Sequence, residues 1–450
     1  MSKNITFDLA SFASNLTYKK IPKEVTDFTK LLIMDALACA LAGENSEETT
    51  KLRTLATSIA LSKESSVIGG RKLSLAGSVL LNSYLITAVT MCDTHRETLT
   101  HIMPEILPAA LAIAELDHKN GSELITAVAI GCEVACRIGI GLDYPAFRAR
   151  GWHGPGVTGP FGAAAAVANL RKFNAEKMTL AFGLAGSQAA GTFAAWGTPT
   201  VKFHQCRGSL SGVMAALLAE DNFAASKEIL TAKDGGLFNT YSNGGKPKRV
   251  VKGLGVRWEF QQIALRMWPA ATGLQGLVTA LTNLVKENEF SFDKIKTVKV
   301  KLSETQYKMH GVFANYEAKF QALLSAHYTS AVVLRDRELT LAQFEPKCYN
   351  NSVLRNFAAK KVIVGYDPVL TGQQCAITLE IKDGSILSCQ TDHPLGAPEN
   401  PVSFPEVEEK FRIYANEKLP KRRINRIIAT INELENLDDT CRLMDMLRIA

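Results

Sequence analysis

The segment TVKVKLSE, Thr297 to Glu304, sets Val298, Val300 and Leu302 against Lys299, Lys301 and Ser303. Period-two alternation of this kind marks a half-buried strand. The first 265 residues read differently. There Pro22 opens IPKEVTDFTKLLIMDALACALAG, whose apolar residues keep near-helical spacing and which Gly43 is placed to C-cap. SLAGSVLLNSYLITAV, EILPAALAIAELDHKNG, ELITAVAIGCEVACRIGIG, GPFGAAAAVANLRKF, EKMTLAFGLAGSQAAG and SLSGVMAALLAEDNF follow as further helices. Many carry Ala and Gly on more than one face, which suits helices buried on several sides. Beyond the alternating segment, QALLSAHYTSAVVLRDRELT is helical and AAKKVIVGYD is a second strand. CAITLEIKDGSILSCQTD is a hairpin turning at Asp383-Gly384. Helical spacing resumes from Phe404 to the end. The expectation is a mainly α protein, with a large all-helical domain formed by both chain ends, residues 1–267 and 400–450. A smaller α+β domain, residues 268–399, is inserted into it.

Composition narrows the function classes. A chain of 450 residues predicts two or three domains at roughly 150 residues each. The net charge of +7 comes from scattered residues, which fits an anionic substrate and offers no basic face for nucleic acid. The densest basic run, Lys421-Arg422-Arg423 with Arg426, shares a helix with Ile424, Ile427, Ile428, Ile431 and Leu434 and reads as a solvated face. The nine cysteines contain no C-x-x-C, and Cys132 and Cys136 sit one helical turn apart, as packing residues would. Reduced thiols in an intracellular protein are expected. The start, MSKNITFDLASFASNL, lacks a signal-peptide pattern. No apolar run approaches the roughly 18 residues of a membrane span. A cytoplasmic location without membrane contact is therefore the expectation.

Four stretches could carry chemistry. TMCDTHRETLTHIMPEILPAALAIAE, Thr90 to Glu115, brings Asp93, His95 and His101 together ahead of a buried helix. General acid–base work, metal ligation and a structural polar cluster all remain open for it. D-x-H-x5-H is not a zinc spacing and no H-E-x-x-H occurs, so no metal is expected. RGWHGPGVTGPFGAAAAVANL, Arg150 to Leu170, contains a G-x-G-x-x-G from Gly154 to Gly159. No strand precedes it, so it reads as a glycine-rich loop feeding a helix, with Thr158 as N-cap and Pro160 at the first helical position. Its free N–H groups would suit a carboxylate, and His153 would face that ligand. GTPTVKFHQCRGSLSG, Gly197 to Gly212, clusters Lys202, His204 and Arg207 between two small-residue helices. These would hold a carboxylate or form a basic surface loop. LRMWPAATGLQG, Leu265 to Gly276, puts Arg266 and Gln275 at the change of pattern, where ligands often bind.

Together these stretches resemble the MmgE/PrpD family, which includes 2-methylcitrate dehydratase, cis-aconitate decarboxylase and iminodisuccinate epimerase. The resemblance runs nearly end to end. It rests on IPKEV…KLLIMDALACALAG, D-T-H followed by His and PAALA, G-W-H-G-x-x-V-T-G-P-F-G-A-A-A-A, K-x-H…R…S-G, D-G-G-L-F and AKF…HYTSAVVL. It implies a helical domain with a smaller lid, a homodimer, and no metal or organic cofactor. It also implies a site built of an aspartate, two histidines, a lysine and a lid-side histidine. Asp93, His101 and His153 match the first three. Counting back from His204 and Arg207 puts Val201 at the lysine position, with Lys202 beside it. Gln275 stands where the lid histidine belongs, and Tyr328 matches a tyrosine or histidine of the lid. Cys92 replaces the first aspartate of F-D-D-T-H, and Ile102-Met103 separates His101 from Pro104.

The shared chemistry implied is proton transfer at a carbon beside a carboxylate. The expectation is a metal-independent lyase, a dehydratase or decarboxylase, acting on a small di- or tricarboxylic acid. His101 and His153 would be its acid and base, Asp93 would tune one of them, and Lys202 would complete the catalytic set. His95, His204, Arg207, Arg266, Gln275 and Tyr328 would contact substrate. Gln275 cannot shuttle a proton near neutral pH as a histidine can. An isomerase or epimerase of a polycarboxylate, and a non-catalytic polycarboxylate-binding protein, stay open beside the lyase.

Overall fold

The computed structural model describes residues 4–46, 48–312 and 314–449. The backbone divides into two compact units, Met1–Ile263 with Ser403–Ala450, and Ala264–Val402.

The principal helices in the first stretch of chain are α1 (Lys23–Gly43), α2 (Leu75–Thr87), α3 (Met103–Leu116), α4 (Gly121–Gly141), α5 (Gly154–Leu170) and α6 (Thr200–Glu220). Every residue of α5 is buried, and it packs on α3, α4 and α6. Small residues make this possible. A methyl on Gly162 would stand 2.4 Å from the Ile106 side chain and 2.6 Å from the Gly131 carbonyl oxygen. Gly43 does not cap α1 but is its last residue. A methyl there would meet the Leu85 carbonyl oxygen at 2.1 Å, so close approach explains this glycine. Helix α4 corrects the expectation that no run is long and apolar enough to cross a membrane. Its 21 residues meet that test, and its most apolar stretch is entirely buried within the unit.

The glycine-rich segment is helix, not loop. Helix α5 starts at Gly154, with His153 at the N-cap position, Pro155 in the first turn and Pro160 inside the helix. Thr158 does not cap it; its hydroxyl donates to the Gly154 carbonyl at 3.3 Å. Pro160 has no N–H to give the carbonyl of Gly156 one turn earlier. That carbonyl accepts instead from the Ala190 N–H at 3.1 Å and from Arg207 Nη2 at 2.9 Å. Tertiary partners thus keep a proline inside a helix. Lys202, His204 and Arg207 likewise stand on α6 and not on a loop between helices.

In the second unit, α7 (Gln275–Glu287) precedes β1 (Ile295–Leu302), α8 (Ala326–Asp336), β2 (Val362–Tyr366), β3 (Cys375–Ile381) and β4 (Ile386–Thr391). The sheet order is β2-β1-β3-β4. The β1–β2 pair is parallel and the other pairs are antiparallel. Val298, Val300 and Leu302 are buried while Lys299 and Lys301 are exposed, as the alternation requires. Helix α7 packs on β3 and β4, and α8 on β2. Gly384, at φ 94°, carries the β3–β4 turn, and Asp383 Oδ1 accepts the Ser385 N–H at 2.8 Å.

The chain then returns to the first unit as α9 (Phe404–Ala415) and α10 (Lys421–Asn432). Lys410 of α9 places Nζ 2.6 Å from Asp35 Oδ1 of α1, both side chains being buried. Helix α10 buries Ile424, Ile427, Ile428 and Ile431. Its Arg422, Arg423 and Arg426 line an open cleft with Arg442, so the basic run is more than one convex solvated face.

Candidate active site

The connection from α2 to α3 carries Asp93, and the start of α3 dictates its geometry. The first N–H groups of a helix lack intrahelical acceptors. Asp93 Oδ2 accepts from Ile102 N at 2.9 Å and Oδ1 from Met103 N at 3.0 Å. The carboxyl is 1% exposed. Burial and the neighbouring Cys92 push it up to about 7, against the pull of those N–H groups and of His101. A carboxyl that titrates near neutrality is suited to giving or taking a proton.

His101 Nδ1 lies 2.8 Å from the Asp93 carbonyl oxygen and 3.1 Å from Thr94 Oγ1. The carbonyl selects the tautomer with its proton on Nδ1, which puts the lone pair on Nε2. His95, six residues earlier, sits differently. It is fully buried, with Nδ1 2.9 Å from Thr98 Oγ1 and Nε2 3.2 Å from the Glu259 carbonyl oxygen. Burial holds it neutral, with its pKa lowered to about 4. Both of its nitrogens are engaged inside the unit.

His153 and His204 meet. Their Nδ1 atoms are 3.0 Å apart, and their ring centroids 5.2 Å. Burial lowers the His153 pKa to about 3, with further contributions from His204, His101 and Arg148. Burial and Arg207 lower that of His204. Two neutral imidazoles therefore share one proton between facing Nδ1 atoms. The backbone supports the pair: the His153 N–H donates to the Gly191 carbonyl at 3.0 Å. Gly191 has φ 127°, and a methyl on it would stand 3.0 Å from His204 Nδ1.

The cations of α6 bind backbone. Lys202, buried, donates from Nζ to the carbonyl of Ala88, near the start of the Asp93 connection. Arg207 donates from Nη1 to the Gln188 carbonyl at 2.6 Å and to Ser211 Oγ at 3.3 Å. Its Nη2 reaches the carbonyls of Gly156 and Ala190, each at 2.9 Å. All four Nη protons thus have acceptors, and the guanidinium braces residues 188–190 against α5. Burial lowers its pKa. Lys410 anchors the Asp93 connection from the C-terminal side, donating to the Met91 carbonyl at 3.3 Å.

Two features of the site lie outside the expectations drawn from the sequence. Glu105, in the first turn of α3, is fully buried, and neither carboxyl oxygen has a hydrogen-bond partner among the described residues. Burial, Asp93 and Cys92 raise its pKa well above the usual carboxylate range. The absence of a side chain at Gly159 leaves it room; a methyl there would lie 2.7 Å from the carboxyl. The other feature is the His153–His204 contact itself.

The remaining candidates belong to the second unit. Arg266 is buried. Gln275 opens α7 and donates from Nε2 to the carbonyls of Trp268 and Ala270, each at 3.1 Å. Its buried Oε1 has no hydrogen-bond partner among the described residues. The hydroxyl of Tyr328, fully buried, donates to the Gln343 carbonyl, and burial raises its pKa. Beside it, buried His327 has an Nδ1 without a hydrogen-bond partner among the described residues.

Within the first unit, a carboxyl near its titration point and three histidines, two of them sharing a proton, form a set suited to moving protons. The chain belongs to the MmgE/PrpD family. The sequence profile of the MmgE/PrpD N-terminal domain matches residues 7–250, and that of the C-terminal domain residues 268–436. The chain is similar to a cis-aconitate decarboxylase-like protein of Aspergillus oryzae, 27% identical over 99% of this chain and 97% of that protein. It is similar to the cis-aconitate decarboxylase of Aspergillus terreus, 27% identical over 98% and 96% of the two chains. The human cis-aconitate decarboxylase is 25% identical over 100% of this chain and 95% of its own length.

Proposed function

We propose that this protein is a lyase that removes carbon dioxide from a small di- or tricarboxylic acid by histidine-mediated proton transfer, with no metal or organic cofactor. The observation that carries the reading is the 3.0 Å contact between the Nδ1 atoms of His153 and His204. In decarboxylation the bond to one carboxylate breaks, carbon dioxide leaves, and its electron pair becomes a carbanion stabilised by the remaining carboxylate. That carbanion needs a proton on carbon. His153 gives its Nε2 proton while the shared proton moves from His204 Nδ1 to His153 Nδ1. His204, half-buried, recovers a proton from water at Nε2. Neither ring carries charge at rest, which suits the burial that lowers both pKa values.

His101 Nε2, with Asp93 beside it, is the second proton site, and Lys202 supplies positive charge for a substrate carboxylate. His95 and Arg207 act as positioning residues: both His95 nitrogens and all four Arg207 Nη protons are engaged by the fold. The similarity to cis-aconitate decarboxylases supports decarboxylation over dehydration. An isomerase is the second reading, favoured by Gln275 at the position of the expected lid histidine.

Proton NMR in heavy water with a panel of di- and tricarboxylic acids separates these readings. A product lacking one carboxylate, with deuterium at the new C–H, is the expected outcome. Deuterium wash-in with epimer or shifted alkene and no loss of carbon dioxide establishes the isomerase. Full activity in both His101→Ala and His153→Ala ends the assignment of these residues.

A further inference from the structure

Away from these histidines, the connection between α3 and α4 meets the C-terminal segment. His118 Nδ1 lies 2.9 Å from Asp439 Oδ2 and 3.5 Å from Cys441 Sγ. The three ligand atoms all fall within 4.8 Å of one another. We infer that His118, Asp439 and Cys441 form a binding site for one zinc-like divalent cation, separate from the proton-transfer residues.

The donor set is the first argument. One imidazole, one thiol and one carboxylate suit zinc or cobalt, whereas magnesium and calcium prefer oxygen alone. The spacing is the second. Nitrogen or oxygen at ~2.0 Å and sulfur at ~2.3 Å around a tetrahedral zinc lie ~3.3–3.6 Å from one another. The Nδ1–Sγ separation is already 3.5 Å, and the Nδ1–Oδ2 pair needs to open by a few tenths of an ångström from 2.9 Å.

The surroundings hold the donors in place, as outer-shell partners do. Asp439 Oδ1 accepts the Cys441 N–H at 2.8 Å, which orients the carboxylate and leaves Oδ2 toward His118. The thiol donates to the Glu115 carbonyl at 3.2 Å, a bond given up when the cation displaces its proton. Lys72, whose charge acts on the Cys441 thiol, is paired with Glu115 Oε1 at 2.9 Å. His118 is exposed, so a water can take the fourth position. The cation would join residues 321 apart in the chain, pinning the C-terminal segment to the α3–α4 connection.

The test is a cobalt titration of the full chain after dialysis against a chelator. A thiolate-to-cobalt charge-transfer band that saturates at one equivalent, persists in excess magnesium and is removed by zinc is expected. Cys441→Ser abolishes it, and His118→Ala weakens cobalt binding at least tenfold. Cys348 and Cys389 are also partly accessible thiols. A band unchanged in both variants assigns the cobalt to those thiols and overturns the proposal, as does the absence of any band. Zinc should also raise the melting temperature of the unaltered chain and not that of Cys441→Ser.

Discussion

Asp93→Asn should make the protein more stable at pH 8 while lowering its activity. The folded carboxyl titrates at about 7 against an ordinary value of 3.8. Between those values the folded state holds a proton that the unfolded chain has released. Stability from this group is therefore complete below about pH 4 and declines as pH rises toward 7. A shift of about 3 units at ~1.4 kcal/mol per unit gives a loss of about 4 kcal/mol across that window. Asparagine is nearly isosteric with the protonated acid and keeps one oxygen for the Ile102 or Met103 N–H, so at pH 4 the two proteins should be within about 1 kcal/mol of each other. At pH 8 the variant should lead by about 4 kcal/mol. Glu133, also buried with a raised pKa, contributes equally to both proteins and cancels in the difference. Glu105, whose raised pKa owes part to Asp93, loses that part in the variant, which adds to the variant's lead at pH 8. The assay is urea unfolding followed by circular dichroism at pH 4, 6 and 8, with kcat/KM measured alongside. A difference that stays flat with pH refutes the assignment of a raised carboxyl at Asp93. A variant that gains stability and keeps full activity refutes its role in proton transfer.

Three further outcomes follow from particular contacts. Lys410→Met should cost about 3–5 kcal/mol by leaving the buried Asp35 carboxylate without the Lys410 counter-charge, and adding Asp35→Leu should restore most of it in the same urea assay. Glu105→Met replaces an unpartnered buried acid with an apolar chain of similar size and should add about 1–3 kcal/mol, read as a higher melting temperature. A drop in melting temperature would mean the acid has a bonding partner after all. Gly191→Ala puts a methyl 3.0 Å from His204 Nδ1 at a backbone angle that favours glycine. It should lower kcat more than tenfold and remove the imidazole proton resonance shared with His153; an unchanged resonance would sever the link between this glycine and the pair.

The helices were legible where spacing and burial agree. In β1 the alternation was decisive because one face packs inward and the other carries lysines into solvent. Local propensity hides the start of helix α5, because Gly154, Pro155, Gly156, Gly159 and Pro160 all favour a loop. What makes them helical lies elsewhere in the chain. The Ala190 N–H and Arg207 take the carbonyl that Pro160 cannot serve, and α3 fills the space left at Gly159. Local rules have no access to either partner.

The same limit governs the site. His95 and His101 share one short stretch of sequence, and nothing local separates them. They part because the Glu259 carbonyl, 164 residues downstream, takes His95 Nε2, while the Asp93 backbone takes His101 Nδ1. Glu105 would read by position as an acid favoured by the α3 dipole at an exposed first turn. It is instead enclosed beneath α5, where the nearby Asp93 and Cys92 add to the effect of burial. His153 and His204, 51 residues apart, acquire their shared proton only because the segment through Gly191 runs between them. Residue type and spacing identify groups able to titrate. Which of them hold a proton at neutral pH, and which can pass it on, depends on burial and on partners that only the fold supplies.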